Sequence, residues 1–296
     1  MVTIKKQTKG KQDYYYLEHS FRKGRKVQKK QKYLGKQIPK DMEEIKKQFV
    51  SEIYKDLWLK KIDKIKKNFS KEQKVMPKSA REKELESFMV KFTYNTQRIE
   101  GSTLTLKETA NLLEKGITPN ERPVRDVKEA EAHKKVFYHM LEYHKDLNLQ
   151  ICLFWNKLLL EQTKPDIAGK IRSHQVAISG SKFIPPMPAE LDFLLKEFFE
   201  WYNKNKNKRH PIELAALVHL KFVTIHPFAD GNGRVSRIMM NFILSRHNFP
   251  LLDIEYGKRN SYYNALERSQ VKKQNNTFIQ WLFKRYLKEY QGYLGE

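Results

Sequence analysis

Two apolar stretches with a short polar one between them constrain this chain more than anything else in it. "PIELAALVHLKFVTI", 211 to 225, is apolar nearly all round, and so is "VSRIMMNFILSR", 235 to 246. A helix apolar on every side is a buried one, so a fold must place both near its centre. The motif across their junction is "HPFADGNGRVSR", residues 226 to 237. A connection between core helices can be polar for plain reasons: Pro227 ends the first helix, glycines turn the chain, and an acid near the next N-terminus complements the helix dipole. That accounts for Asp230 and one glycine. It leaves Asn232 between two glycines, with arginines at both 234 and 237.

The remaining pattern is mainly α. Met42, Ile45, Phe49, Ile53, Leu57 and Ile62 recur at helical spacing and predict an amphipathic helix from Asp41 to about Phe69, broken by Pro77. Leu85, Phe88, Met89 and Phe92 predict a second helix, stopped by Gly101 and carrying Glu100 at its end. Thr105 and Glu108 have capping-box spacing for a helix running to about Gly116, and further helices follow from Asp126 to Tyr143 and through "ICLFWNKLLLEQ". Two stretches depart from this. Residues 13 to 34 read as a twisted β-hairpin turning near Lys23-Gly24. Residues 169 to 191 alternate at Val176 and Ile178, turn at Gly180 and continue into three prolines, which predicts a short β-hairpin flap. The division expected is a basic arm over 1–40, a helical linker over 41–79 and a main domain over 80–290.

Charge is the unusual bulk property. The chain holds 58 Lys+Arg against 34 Asp+Glu, and 13 of those cations lie in the first 40 residues beside only Asp13 and Glu18. Such a field attracts nucleic acid or an acidic partner; a lysine-rich surface kept for solubility or heat is the alternative. Cys152 stands alone, so no disulfide framework exists within the chain. No signal-peptide or membrane-spanning apolar run occurs, and a soluble cytosolic protein is expected.

The motif can do chemistry. Gly231-Asn232-Gly233 at a helix start leaves backbone N–H groups unpaired and unobstructed, the geometry that cradles phosphate oxygens. Arg234 and Arg237 lie one helical turn apart and can both reach an anion as bidentate donors. Asp230 offers a hard oxygen for Mg²⁺, which bridges phosphates with only one or two carboxylates. His226 can take a proton from a hydroxyl near neutral pH. Each alone is a weak signal, and no G-x-x-x-x-G-K-[ST] string occurs.

As one contiguous string the motif resembles the signature of the Fic family, H-x-F-x-[D/E]-G-N-G-R-x-x-R, at His226, Phe228, Asp230, Gly231, Asn232, Gly233, Arg234 and Arg237. A chance match is on the order of 10⁻¹⁰ per start point. The resemblance covers about residues 80 to 290. It implies a Fic fold: two central helices joined by this loop, with a β-hairpin flap over the site, here preceded by a small N-terminal β-hairpin and helix. It implies transfer of AMP from ATP to a Ser, Thr or Tyr hydroxyl of a protein, self-modification included. In that reading His226 is the base and Asp230 holds Mg²⁺ (or Mn²⁺). Gly231, Asn232, Gly233, Arg234 and Arg237 hold the phosphates, Arg237 taking the γ-phosphate. Gly180, Ser181, Lys182 and Phe183 align nucleotide or target, and Tyr262 and Tyr263 meet the adenine, with Gln270 where relatives often carry Asn.

A second string, "TQRIEG", fits the family's inhibitory motif [S/T]-x-x-x-E-[G/N] at Thr96, Glu100 and Gly101, N-terminal to the core as in class II members. Glu100 is then expected to form a buried bidentate pair with Arg237 and repel the triphosphate. In some relatives of this class the same glutamate supports removal of AMP, and both directions are open here. The alternatives are transfer of UMP, phosphate or phosphocholine, or a nucleic-acid-associated regulator acting through residues 1–40, where aromatics interleave with cations. A protein substrate, a homodimer and no membrane complete the expected partners.

Overall fold

The computed structural model describes residues 2–23 and 26–295, in two compact units, 1–63 and 64–296. The first is built on a three-stranded antiparallel sheet of order β1-β2-β3, with β1 Val2–Lys9, β2 Gln12–Lys23 and β3 Lys26–Gly35. This corrects the expected hairpin by one strand. "VTIKKQTK" opens on three β-formers, Val2, Thr3 and Ile4, and Gly10, at φ 65°, supplies the left-handed residue of the two-residue turn into β2. Gly24, where the second turn was expected, lies outside the described residues. Leu17 and Phe21 of β2 are buried with Phe49 and Ile53 of helix α1, Met42–Val75, and Val2, Leu34, Met42, Ile45 and Leu57 pack around them. That cluster is the core of this unit.

The division falls inside α1, not at Pro77, which precedes α2. In the larger unit the last turns of α1 are anchored elsewhere: Asn68 Nδ2 donates to the Tyr293 carbonyl at 2.7 Å, and the Phe69 and Tyr293 rings meet edge to face at 5.9 Å. Nine further helices follow among the described residues: α2 Lys78–Ile99, α3 Leu106–Lys115, α4 Val124–Glu142, α5 Leu149–Leu160, α6 Leu191–Asn205, α7 Pro211–Ile225, α8 Asn232–Arg246, α9 Arg259–Val271 and α10 Asn276–Glu289. The capping box on α3 forms as its sequence requires, with Gly116 left-handed beyond it. α7 and α8 are the buried pair. α6 and α10 pack on α7, α4 and α5 on α8, and α2 lies on α3 and α4. No helix is long and apolar enough to cross a membrane among the described residues.

The flap is not a hairpin. Residues 169–191 form turns and extended chain with no strand, ending in a short 3₁₀ turn at Pro188–Glu190. A tight turn does close from Ser181 N to the Ile178 carbonyl, at 3.1 Å. Beyond it Pro185, Pro186 and Pro188 have no N–H to give a ladder, and side chains bind the backbone instead. Gln175 Nε2 donates to the Pro185 carbonyl at 2.8 Å, and Arg172 to that of Pro186 at 2.6 Å.

Candidate active site

The loop between α7 and α8 takes its shape from two left-handed residues. His226 closes α7 at φ 53° and ψ 56°, and Gly231 precedes α8 at φ 86°. A side chain at 231 is excluded twice, by that φ and by Asn156 Nδ2, which would stand 2.8 Å from a Cβ. Asn156 is fully buried and bridges two loops. Its amide donates to the Asp230 carbonyl at 2.9 Å and its oxygen accepts from Gly169 N at 2.8 Å. Asn232 braces the loop from within, accepting from Phe228 N at 2.9 Å and donating to the Phe228 carbonyl at 2.8 Å.

His226 is oriented as a base. Its Nδ1 lies 3.1 Å from the Val223 carbonyl, an acceptor only, so Nδ1 carries the proton and Nε2 keeps its lone pair. Burial lowers its pKa below the ordinary histidine value, against the Val223 hydrogen bond that raises it. Arg172, which sequence reasoning missed, holds the backbone here. Its Nε donates to the His226 carbonyl at 2.8 Å and its NH1 to the His174 carbonyl at 2.9 Å. Its own N–H donates to Pro227 O at 2.9 Å.

The two arginines serve different masters. Arg234, 1% exposed, gives NH2 to Asp230 Oδ1 at 3.0 Å and NH1 to Glu129, a buried carboxylate on α4. The expectation that it leans toward an anion alongside Arg237 is corrected in this arrangement, because two acids already hold it. Arg237, equally buried, gives NH2 to Glu100 Oε1 at 2.5 Å and Nε to Thr96 Oγ1 at 2.5 Å, with NH1 3.4 Å from the Tyr262 hydroxyl. The pair with Glu100 is therefore single-pronged where a bidentate one was expected. Thr96 and Tyr262 occupy the other nitrogens, and the Glu100 side chain, 27% exposed, reaches in from the end of α2. Burial would lower the Arg237 pKa, but Glu100 raises it above the ordinary arginine value. Glu100 also lies over Gly233, where any Cβ would collide with its carboxylate. The inhibitory-motif glutamate thus occupies the N-terminus of α8, where backbone amides favour an anion.

Asp230 is the one motif carboxylate. Burial pushes its pKa up, but Arg234, Lys164 and the Gly231 amide hold it at about 2. Lys164, also unforeseen, is on Oδ2, and Gly231 N donates to Oδ1 at 2.5 Å. No cluster of three or more metal-ligating His, Cys, Asp or Glu occurs among the described residues. A single carboxylate suits Mg²⁺, which completes its shell with water and phosphate; Lys164 must leave Oδ2 for it.

The predicted flap and base-side residues are distributed unevenly. Glu267 of α9 accepts from Ser181 Oγ at 3.0 Å and Lys182 N at 2.9 Å, while Ser181 Oγ accepts from Phe183 N at 3.1 Å. Gly180, at φ 73°, makes the turn. Tyr262, 1% exposed, turns its hydroxyl to His219 Nε2 at 3.0 Å, so its ring face is enclosed in the core. Tyr263 is the exposed one of the two, its hydroxyl on the Ile99 carbonyl at 3.0 Å. Gln270 donates to Thr224 Oγ1 at 3.2 Å.

Comparison with known proteins agrees with this geometry. The pattern of the Fic/DOC family matches residues 146–244. The chain is similar to the protein adenylyltransferase Fic of Drosophila yakuba, 34% identical over 178 residues, 59% of this chain and 36% of that protein. It is equally similar to the protein of the same name from Nematostella vectensis, 34% identical over 181 residues, 60% of this chain and 42% of the other. The chain thus spans well under half the length of these curated relatives. Among solved structures, a Fic domain containing signaling protein from Bacteroides thetaiotaomicron superposes with a TM-score of 0.71 at 25% identity, covering 79% of this chain and 95% of the other. Fic-1 from C. elegans does so with a TM-score of 0.71 at 26% identity, covering 87% and 77%. Residues 146–244, with the loop from His226 to Arg237 inside them, match the Fic/DOC family.

Proposed function

We propose that the protein is an autoinhibited protein adenylyltransferase, moving AMP from ATP onto a Ser, Thr or Tyr hydroxyl of itself and of a protein target. The observation that carries this reading is the join of His226 Nε2, oriented by Val223, to an amide-lined helix start whose arginine, Arg237, is held by Glu100. The names of the relatives support the group transferred; the Glu100 contact supports the inhibition.

The target hydroxyl attacks the α-phosphorus of ATP, its proton passing to His226 Nε2. A P–O bond forms to the target, the bond from the α-phosphorus to the bridging oxygen breaks, and pyrophosphate leaves. The Asn232 and Gly233 amides at the start of α8 neutralise charge growing on the α-phosphate, and Arg237 steadies the γ-phosphate. Asp230 would hold Mg²⁺, which supplies charge neutralisation to the phosphates. With Glu100 on Arg237, a γ-phosphate meets a carboxylate where it needs a cation, and the nucleotide lies out of line for attack. Removing Glu100 frees the arginine.

The test is self-labelling with radiolabelled ATP. Glu100→Gly is expected to raise the rate by at least about tenfold, equivalent to about 1.4 kcal/mol. Adding His226→Ala is expected to remove about 10²–10⁴ of that rate, the usual contribution of a general base. Equal labelling of wild type and Glu100→Gly sinks the autoinhibition. Intact mass of the labelled protein, with a panel of nucleotides, separates AMP from UMP, phosphate and phosphocholine. Incubating the AMP-modified protein without ATP reads whether the reverse reaction occurs.

A further inference from the structure

The N-terminal sheet has a face that its core does not use. Side chains alternate along a strand, so with Leu17 and Phe21 turned toward α1, the residues Tyr14, Tyr16 and Glu18 of β2 point the other way. The register extends this face to both neighbours: Lys5 pairs with Tyr16 and Lys9 with Gln12 on one side, Tyr33 with Tyr16 and Gln31 with Glu18 on the other. The contacts agree. Tyr33 lies 5.2 Å from Tyr16 and 6.3 Å from Tyr14, centroid to centroid. Glu18 is met from both sides by Lys5 at 3.0 Å, Lys29 at 3.6 Å and Gln31 at 2.8 Å.

Its composition is unlike that of an ordinary solvated sheet. Lys5, Lys9 and Lys29 share it with one carboxylate, three tyrosines and the amides of Gln7, Gln12 and Gln31. On the opposite side the lysines meet acids of their own unit: Lys6 pairs with Asp13, Lys30 with Asp56 and Lys32 with Glu52. The tyrosine face therefore holds three lysines against a single carboxylate, Glu18, which Lys5 and Lys29 share. Lysine and glutamine are among the side chains that read base edges in a groove, and tyrosine hydroxyls reach phosphates.

We propose that this face binds duplex DNA by entering the major groove. The outer strands of a three-stranded sheet stand roughly 10 Å apart, and the B-form major groove is about 12 Å wide and admits β-ribbons. The A-form major groove of RNA is too narrow and deep. Single-stranded nucleic acid needs flat ring faces to stack on. Here the rings tilt at 42° and 48° against one another, Tyr14 and Tyr16 are half-buried, and only Tyr33 is as much as 51% exposed.

The experiment is anisotropy titration of the full chain against a fluorescent 24-base-pair B-form duplex of mixed sequence, repeated from about 50 to 200 mM salt. Since a protein of net charge +24 attracts any polyanion, the comparison of variants decides. Lys5→Gln/Lys9→Gln/Lys29→Gln is expected to weaken binding at least tenfold at 150 mM salt. It should also reduce the slope of log affinity against log salt by up to about 3. Removing the same charge elsewhere, in Lys78→Gln/Lys107→Gln/Lys208→Gln, is expected to change both far less. Tyr33→Phe, which keeps the ring packing and removes the hydroxyl, is expected to weaken duplex binding severalfold. Equal losses in the two triple variants overturn the proposal, as does tighter binding to single-stranded DNA, to duplex RNA or to an acidic peptide. Unchanged circular dichroism and unchanged self-labelling rates verify that each variant folds.

Discussion

Arg172 explains why His226 stands where it does. His226 sits in a left-handed conformation that non-glycine residues adopt only when their surroundings impose it. The Arg172 guanidinium, 4% exposed, supplies that imposition by donating to the carbonyls of His226, His174 and Pro186 at once. A planar fork can serve three directions; an ammonium on a flexible stem cannot hold them in register. Arg172→Ala is expected to cost about 2–3 kcal/mol in urea unfolding, since buried carbonyls lose their donors. Arg172→Ala is also expected to lower self-labelling in the Glu100→Gly background, and Arg172→Lys should leave much of that loss in place while recovering part of the stability. As the proposed base, His226 would fix the acid limb of the pH profile. Burial lowers its pKa, so Nε2 stays unprotonated below the ordinary histidine value. Self-labelling by Glu100→Gly is therefore expected to fall toward acid pH with its midpoint below the ordinary histidine value. A midpoint at or above 6.5 would count against His226 as the buried base.

At the scale of elements, the inhibition proposed above depends on how firmly α2 is seated. Gln97 Nε2 donates to the Glu129 carbonyl at 2.8 Å, Thr93 meets His133 at 2.8 Å, and Asn95 donates to Asp253 at 2.5 Å while accepting from Tyr256 N at 2.9 Å. These ties hold the last turns of the helix, so Glu100 arrives at Arg237 as the end of a positioned rod. Thr96 has the same origin, which gives the first residue of the inhibitory motif a physical role: its hydroxyl accepts from Arg237 Nε. The flap is held by a different helix. Glu267 of α9 receives one flap amide and one flap hydroxyl, and the Lys182 amide keeps its pKa below the ordinary glutamate value. Glu267→Ala in the Glu100→Gly background is expected to slow self-labelling by up to roughly thirtyfold, as two hydrogen bonds of about 1 kcal/mol each are lost. ATP affinity, measured separately, should change little. An unaltered rate would mean that the Arg172 and Gln175 ties alone set the flap.

Over the whole molecule, buried ionisable groups dictate the response to acid. Burial pushes His133 and His219 down to about 3, with Arg237 adding to the effect in both. Below 6.5 the unfolded chain takes up protons that these folded sites refuse, so their contribution to stability falls as pH drops, by about 1.4 kcal/mol per unit for each. Asp253 acts in reverse. Burial raises it to about 7, so its contribution is present at acid pH and is lost as pH rises from 3.8 toward 7. Two histidines outweigh one aspartate, and urea-unfolding stability is expected to rise from pH 5 toward 6.5, by about 1.4 kcal/mol per unit near pH 5 and less as 6.5 is approached. In Asp253→Asn that slope should steepen; a flat profile would refute the assignment. Much of this protein was legible in its residues. Apolar character on every side placed α7 and α8 in the core, the capping box set α3, and one contiguous motif marked the site, because hydrophobic periodicity and short-range backbone chemistry act between neighbours in sequence. Asn156, Lys164, Arg172, Glu129 and Glu267 were not, since each reaches the site from a different helix or loop and no local pattern distinguishes it. Nor could pattern decide that the proline-rich flap would be tied by side chains instead of by a sister strand, or that three lysines and three tyrosines would share one sheet face. Sequence by itself determined the helices, the contiguous string from His226 to Arg237 and the short motif that carries Glu100. Only the tertiary structure decided which partner each buried charge received, because in a packed interior a guanidinium goes to whichever carboxylates the fold brings within reach.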